Sequence, residues 1–382
     1  MFSSRFDALA LTLDELARER PRSNGRFPVD VGEGISLLWS RDFGAGGDLD
    51  AAIFASANQK KQRLFGSDVY PIVPLYVTSI CSEHCTYCNF RVENRGVAIE
   101  RLRLNEQELR TETEYLIDQK GFRTIELVYA TDPRVRVDAM CRQVDLVKDL
   151  LVRRGGGVVG INCEALDEHE YRSLIDAGLD FVVLWQETYD RRRYLEVHPG
   201  TTKKTHFEYR MDAFERMIAA GLTRFGMGVL SGLSDWRKDW GMLLEHEQYL
   251  SKYYGLTTSI LGTPRLRRAA GAAFDDDSHV PTTAQFLAAI ALHNLLFPGA
   301  LPFVSTRENW ETCLTMAMGG GSLFTLNCST IPGGYALGHT GYQFPTETFD
   351  APVFALRLRE AGLNPVFLWP IAAEAPQRSL CG

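Results

Sequence analysis

Eight apolar runs separated by amphipathic stretches restrict the fold more than any other feature. The runs are PIVPLYVTSI (71–80), TIELVYA (124–130), VVGINCEA (158–165), FVVLWQET (181–188), TRFGMGVLSGL (223–233), LTTSILGTPRL (256–266), LPFVSTRE (301–308) and SLFTLN (322–327). Stretches such as NEQELRTETEYLIDQKG, DEHEYRSLIDAGL and YRMDAFERMIAAGL carry helical periodicity and run into Gly, a common helix stop. Strand and helix alternating eight times predict an α/β architecture, a parallel sheet closed into a (β/α)8 TIM-type barrel. An open, doubly wound sheet is the alternative. Residues 1–70 read as an N-terminal helical lead-in and 71–330 as the barrel. Residues 331–382 read as a C-terminal cap on it: a loop, the helix PVFALRLREAGL and a short tail.

Of the 382 residues, 45% are hydrophobic and 23% charged, an ordinary globular balance. The net charge of −7, with no basic patch, excludes nucleic acid as the main partner. No apolar run reaches the roughly 18 residues of a membrane helix. The opening MFSSRFDALALTLDELARER is amphipathic and contains acids, unlike a secretory signal. A cytoplasmic protein with no membrane partner is expected.

Five of the eight cysteines (141, 163, 313, 328 and 381) are scattered and read as small buried hydrophobes. A reducing cytosol disfavours a disulfide framework. The other three, Cys81, Cys85 and Cys88, lie in ICSEHCTYCNF as C-x3-C-x2-C. Thiolates bind iron–sulfur clusters, and three of them hold three corners of a [4Fe–4S] cube, leaving the fourth iron open. The alternative is a zinc ion with His84 as fourth ligand in a non-catalytic binding protein, although no second C-x2-C is present.

In a parallel barrel the active site forms at the C-terminal ends of the strands. The cysteines follow the first run, Gln186 and Glu187 end the fourth, Arg265 and Arg267 the sixth, and Thr306 and Arg307 the seventh. The planar fork of Arg307 fits a carboxylate, supplied by a substrate or by an internal acid such as Glu308. Arg265 and Arg267, two apart, point the same way. They meet either a ligand carboxylate or salt bridges of the rim. Gly333 and Gly334 make a turn, with Tyr335 a candidate lid. His198 and His339 do not stand out from solvated loop histidines.

The string C-x3-C-x-aromatic-C, with Tyr87 before the last cysteine, is the signature of the radical S-adenosylmethionine superfamily, which the chain resembles. The resemblance extends over most of residues 70–370. PLYVTSICSEHCTYCNFRVENR resembles the entry motif of the aromatic amino-acid lyases. These include the tyrosine lyases of thiamine thiazole biosynthesis and of [FeFe]-hydrogenase maturation, and the tryptophan lyase of indolic-acid biosynthesis. QETY (186–189), GLSDWR (231–236), PRLR (264–267), STRE (305–308) and PGGY (332–335) match in the same order. PGGY, the QF at 343–344 and the end at 382 resemble the thiazole branch most. The hydrogenase branch carries a cysteine-rich C-terminal extension, where this chain has only Cys381.

The resemblance implies a [4Fe–4S] cluster, S-adenosyl-L-methionine, and a reducing electron donor such as flavodoxin or ferredoxin. One electron splits S-adenosylmethionine into methionine and a 5′-deoxyadenosyl radical, which takes a hydrogen from the substrate. It implies that Arg307 holds the substrate carboxylate. Thr325 shares that role or is a satisfied barrel hydroxyl, and Tyr76 borders amino acid and adenosyl group or packs in the barrel. Gln186 and Glu187 are expected to face the cavity, near ribose or amine. Tyr87, Asn162, Glu164, Arg265 and Arg267 are the remaining cofactor contacts. Where the superfamily carries a Gly-Gly-Glu-like string, this chain reads VYATDPR, so Thr131 or Asp132 is the stand-in. Where the tyrosine lyases carry SKT, it reads CST (Cys328, Ser329, Thr330), which alters the substrate end of the pocket. The expected activity is cleavage of the Cα–Cβ bond of a free aromatic L-amino acid, with tyrosine to p-cresol and dehydroglycine favoured. The alternatives are a tryptophan lyase forming a rearranged indolic acid, or a radical enzyme acting on another small substrate, a peptide or a nucleoside.

Overall fold

The structure is a computed structural model, and it describes residues 1–19, 30–94, 100–321, 323–325, 328–346 and 350–369. Arg95 of the entry motif, Ser322, Leu326 and Asn327 of the eighth run, and the tail with Cys381 lie outside the described residues.

The barrel strands are β1 (Asp68–Thr78), β2 (Thr124–Tyr129), β3 (Val158–Asn162), β4 (Phe181–Glu187), β5 (Phe225–Val229), β6 (Ile260–Gly262), β7 (Leu301–Val304) and β8 (Leu323–Thr325). All neighbours pair in parallel, and β1 pairs with both β2 and β8. The sheet is therefore a closed eight-stranded barrel, and the open-sheet alternative falls. Several strands are shorter than their apolar runs, because the C-terminal part of each run leaves the ladder to become a site loop. A ninth short strand, β9 (Asn364–Pro365), extends the sheet beside the start of β1.

Helices surround the ring. The sequence capped several of them: Asn105 with Glu108, Asp167 with Glu170, and Thr282 with Gln285 form capping boxes at the starts of Glu106–Asp118, Glu168–Asp176 and Thr283–Leu296. The expected helix over YRMDAFERMIAAGL is broken at Asp212 into Phe207–Met211 and Ala213–Ala219. Asp212 is diverted to the N-terminus, where its carboxylate accepts from the Ser3 amide and hydroxyl. Among the described residues no helix is long and apolar enough to cross a membrane.

Side-chain alternation along the strands divides the barrel interior into layers. The lower layer is apolar: Tyr70, Ile72, Val158, Phe181, Val183, Ile260, Leu301 and Leu323, closed from below by Trp369 against Phe181. Above it Trp185 crosses the lumen. Glycine makes room for this ring, since a Cβ on Gly262 would sit 2.0 Å from it. The lumen is plugged at the bottom and open only at the C-terminal face.

Candidate active site

A cavity of about 220 Å³ opens at that face. Its floor is Pro74, Glu126, Trp185, Phe303 and Thr325, and its walls include Cys81, Cys85, Cys88, Tyr76, Tyr87, Thr131, Asn162, Glu164, Glu187, Arg267 and Arg307.

The three cysteines stand on the loop that leaves β1. Cys85 is buried, and Cys81 and Cys88 are half-buried. Burial pushes the Cys81 thiol up to about 11, with Cys88 adding to the shift, and raises Cys85 further. A cationic metal group reverses that penalty by stabilising the thiolates. Among the described residues, no three His, Cys, Asp or Glu side chains are gathered tightly enough for one ion. His84 does not line the cavity and is paired with Glu93. The loop therefore lacks zinc's convergent fourth ligand. Three thiols spread around one cavity suit a cube that takes one thiolate per iron.

Tyr87 lines the same loop, and its hydroxyl meets His198 Nε2 at 2.9 Å. His198 is 2% exposed, and its Nδ1 lies 2.8 Å from the Tyr194 carbonyl. Burial, with Lys204 and Arg210 adding to it, lowers its pKa well below the usual range. It is thus a buried neutral ring supporting Tyr87, not the solvated histidine expected.

The β3–β4 wall carries a buried charge network. Arg210 bonds Glu164 at 2.5 Å, the Trp185 carbonyl at 2.8 Å and Glu187 at 3.7 Å, and Lys204 reaches Glu187 at 3.3 Å. Burial opposes both charges of the Arg210–Glu164 pair, but each partner outweighs it: Glu164 is held below the usual carboxylate range and Arg210 above its own. Lys204 is likewise raised, because Cys85, Glu187 and Glu164 outweigh burial. Sequence reasoning missed Lys204 and Arg210, which reach the cavity from the segment after β4. Glu187 itself has a left-handed backbone (φ 72°) beside a register shift between β4 and β5. Such strain in a non-glycine residue persists where the surroundings over-determine it.

Four expected placements change. Gln186 does not face the cavity: it is next to Glu187 on a strand, so it points outward, and its buried amide has no partner among the described residues. Asp132 is not free either. Arg103 grips it bidentately (2.6 and 2.7 Å) and the Thr78 hydroxyl donates to it, whereas Thr131 stays on the cavity wall. Arg265 turns to the rim, where Glu308 takes it bidentately and also meets Arg267 at 3.3 Å. Only Arg267 of that pair lines the cavity. Tyr335 is no mobile lid, since its hydroxyl donates to the Pro74 carbonyl and the amides of 335–337 donate to buried Glu112.

With Glu308 engaged by Arg265 and Arg267, Arg307 has no carboxylate partner among the described residues. Its guanidinium lies 3.5 Å from the centroid of Phe344, and burial lowers its pKa. Beside it the Tyr76 hydroxyl donates to Gln343 Oε1 at 2.7 Å, and Gln343 Nε2 lies 3.4 Å from Cys88 Sγ. The 343–344 pair thus covers the arginine and touches the cysteine loop. Thr325 donates to the Val304 carbonyl and accepts from the Thr306 amide, so backbone occupies its hydroxyl. Asn162 donates to Glu126, an inward carboxyl that sequence reasoning also missed.

Residues 75–240 match the family model of the radical SAM superfamily. Over 367 residues the chain is 32% identical to 2-iminoacetate synthase of Salmonella typhimurium, spanning 91% of this chain and 92% of that one. Identity to 2-iminoacetate synthase of Escherichia coli is 31% over the same shares. The fold superposes on the X-ray structure of the FeFe-hydrogenase maturase HydG from Carboxydothermus hydrogenoformans with a TM-score of 0.80. That alignment covers 94% of this chain and 80% of that one at 25% identity.

Proposed function

This chain belongs to the radical S-adenosylmethionine superfamily, in the family of the 2-iminoacetate synthases, and we propose that it cleaves the Cα–Cβ bond of free L-tyrosine. The observation that carries the reading is Arg307, a half-buried guanidinium that lines the cavity with no carboxylate partner among the described residues, beside the three-thiol loop. It supplies the fork that an amino-acid carboxylate fits.

Cys81, Cys85 and Cys88 are the residues that would hold a [4Fe–4S] cluster. Held there together with S-adenosylmethionine, and given one electron from a reduced flavodoxin or ferredoxin, the cluster would supply the hydrogen-abstracting radical. The protein's own work is orientation and exclusion of water. Arg307 fixes the carboxylate, and with it the amine that loses the hydrogen atom. Gln343 and Phe344 roof the cavity, and Tyr76, tied to Gln343, forms the wall between them. The pairing of Lys204 and Arg210 with Glu187 and Glu164 keeps this wall polar and preorganised, so it can meet the ribose and methionine ends without rearranging. Thr131, Asn162 and Arg267 complete that side. Its free thiols persist in a reducing compartment, and we place the enzyme in the cytoplasm.

The second reading is cleavage of tryptophan. It is favoured by Cys328, which lines the cavity where the resemblance expects another side chain. Anaerobically reconstituted enzyme, incubated with S-adenosylmethionine, reductant and either amino acid, separates the two. Tyrosine-dependent 5′-deoxyadenosine with p-cresol and glyoxylate is expected. Indolic products from tryptophan and no p-cresol from tyrosine would replace the lead reading with the second.

A further inference from the structure

The carboxyl of Glu126 is left without a task by the reading above. Glu126 lies on β2 in register with Pro74 of β1 and Gly160 of β3, one inward position below Val128. It is 2% exposed and belongs to the cavity floor, where its neighbours Pro74, Trp185 and Phe303 are apolar. Its Oε1 accepts from Asn162 Nδ2 at 2.9 Å, and Oε2 has no partner among the described residues. No cation pairs with it there. Burial raises it to about 7, against the Asn162 hydrogen bond.

A carboxyl buried with one neutral partner is costly, and an apolar residue would have filled this floor without that cost. Its position relative to Arg307 suggests a use. Arg307, Glu126 and Tyr76 all line this one cavity; burial raises the Tyr76 hydroxyl, Arg307 opposes that shift and Glu126 adds to it. An amino acid held by its carboxylate at the top of β7 has only the lumen below for its side chain. The far end of an aromatic ring then approaches Glu126, whose Oε2 is a free acceptor among the described residues, whereas the Thr325 hydroxyl of the same floor is occupied by backbone.

We propose that Glu126, oriented by Asn162, is the specificity residue that receives the hydrogen-bond donor at the far end of the substrate's ring, the phenol O–H of tyrosine. The proposal rests on the aromatic amino-acid reading, but it concerns a phenol site that is measurable without turnover. Glu126 also selects against phenylalanine, because a buried acceptor left unpaired penalises the analogue that lacks the hydroxyl.

The test is calorimetric titration of the reconstituted enzyme with p-cresol and, in parallel, toluene. The proteins are wild type, the isosteric Glu126→Gln and Glu126→Ala, each checked for cluster absorbance and circular dichroism. The wild type is expected to bind p-cresol more tightly than toluene. Glu126→Ala should weaken p-cresol binding on the order of ten- to a hundredfold, Glu126→Gln by less, and toluene should bind all three alike. Equal affinity of the wild type for p-cresol and toluene would overturn the proposal, as would unchanged p-cresol affinity in a folded variant. A Glu126-dependent phenol site in an enzyme that makes no tyrosine-dependent 5′-deoxyadenosine would sink the lyase reading and leave the site standing.

Discussion

Arg307→Met gives two effects that a structural and a substrate-binding arginine predict with opposite sizes. Methionine keeps the length and apolar body but loses the fork. Two charge-assisted hydrogen bonds to a desolvated carboxylate are each worth roughly 1.5–3 kcal/mol. Their loss should cost about 3–5 kcal/mol of substrate binding, or roughly 10²–10⁴-fold in KM or kcat/KM. Arg307→Lys keeps the charge and should recover about half of that free energy. Stability should move little. The unliganded guanidinium has no carboxylate partner among the described residues, and burial already disfavours its charge. Removing it relieves that cost and forfeits the contact with Phe344, worth about 0.5–2 kcal/mol. The net change should lie within about 1 kcal/mol, whereas removing one partner of a buried ion pair costs about 3–5 kcal/mol. The assays are denaturant unfolding of the reconstituted protein without substrate and amino-acid-dependent 5′-deoxyadenosine formation. A loss of several kcal/mol in stability with unchanged substrate dependence would refute the assignment.

Three further outcomes are expected. Alanine at Cys81, Cys85 or Cys88 should abolish iron retention and S-adenosylmethionine cleavage together; one tightly held zinc per wild-type chain instead would restore the zinc reading. Glu112→Ala strips the acceptor from three consecutive amides (2.7–3.0 Å) that anchor the loop leading to Gln343 and Phe344. It should destabilise by about 2–4 kcal/mol and speed hydrogen exchange at 335–337, and unaltered exchange there would contradict the anchoring role. Asp239, at the start of the helix Trp236–Tyr254, is raised to about 8 by burial, although it accepts from the Tyr189 amide and Thr188 hydroxyl. Its folded pKa lies above its unfolded one, so the native state holds the extra proton. Stability is therefore lost as pH rises from about 4 to about 8, by at most about 1.4 kcal/mol per unit. Asp239→Asn lacks this slope, and its Tm should gain on the wild type as pH is raised; parallel curves would exclude the buried acid as the cause.

The barrel was legible because its determinant is local: strand-length apolar runs alternating with capped helices leave a parallel ring as the way to bury both faces. The cysteine loop was legible for the same reason, with three ligands carried in eight residues. Asp132 and Arg265 were misplaced because their partners, Arg103 and Glu308, come from elsewhere in the chain, and an ion pair across such a distance leaves no spacing to read. Lys204, Arg210 and Gln343 were missed because they reach the cavity from loops and a short outer helix, where polar residues are unremarkable.

Gln186 and Glu126 are different, since both could be read from strand parity alone. Consecutive strand residues face opposite ways, so Gln186 and Glu187 could not both line the cavity. In TIELVYA the single charge sits between apolar neighbours in the middle of a buried strand. A carboxylate there must find a partner or give up its charge, and the strand continues inward through Val128 to the cavity wall at Ala130. The same parity that turns Ile125 and Leu127 into the outer core turns Glu126 into the lumen. A charge on the lumen side of a barrel strand is therefore a stronger pointer to a ligand than a charge at a strand end, where solvent and rim arginines compete for it. The contrast between Glu308, consumed by the rim, and Glu126, left with one neutral partner, follows from that difference in depth.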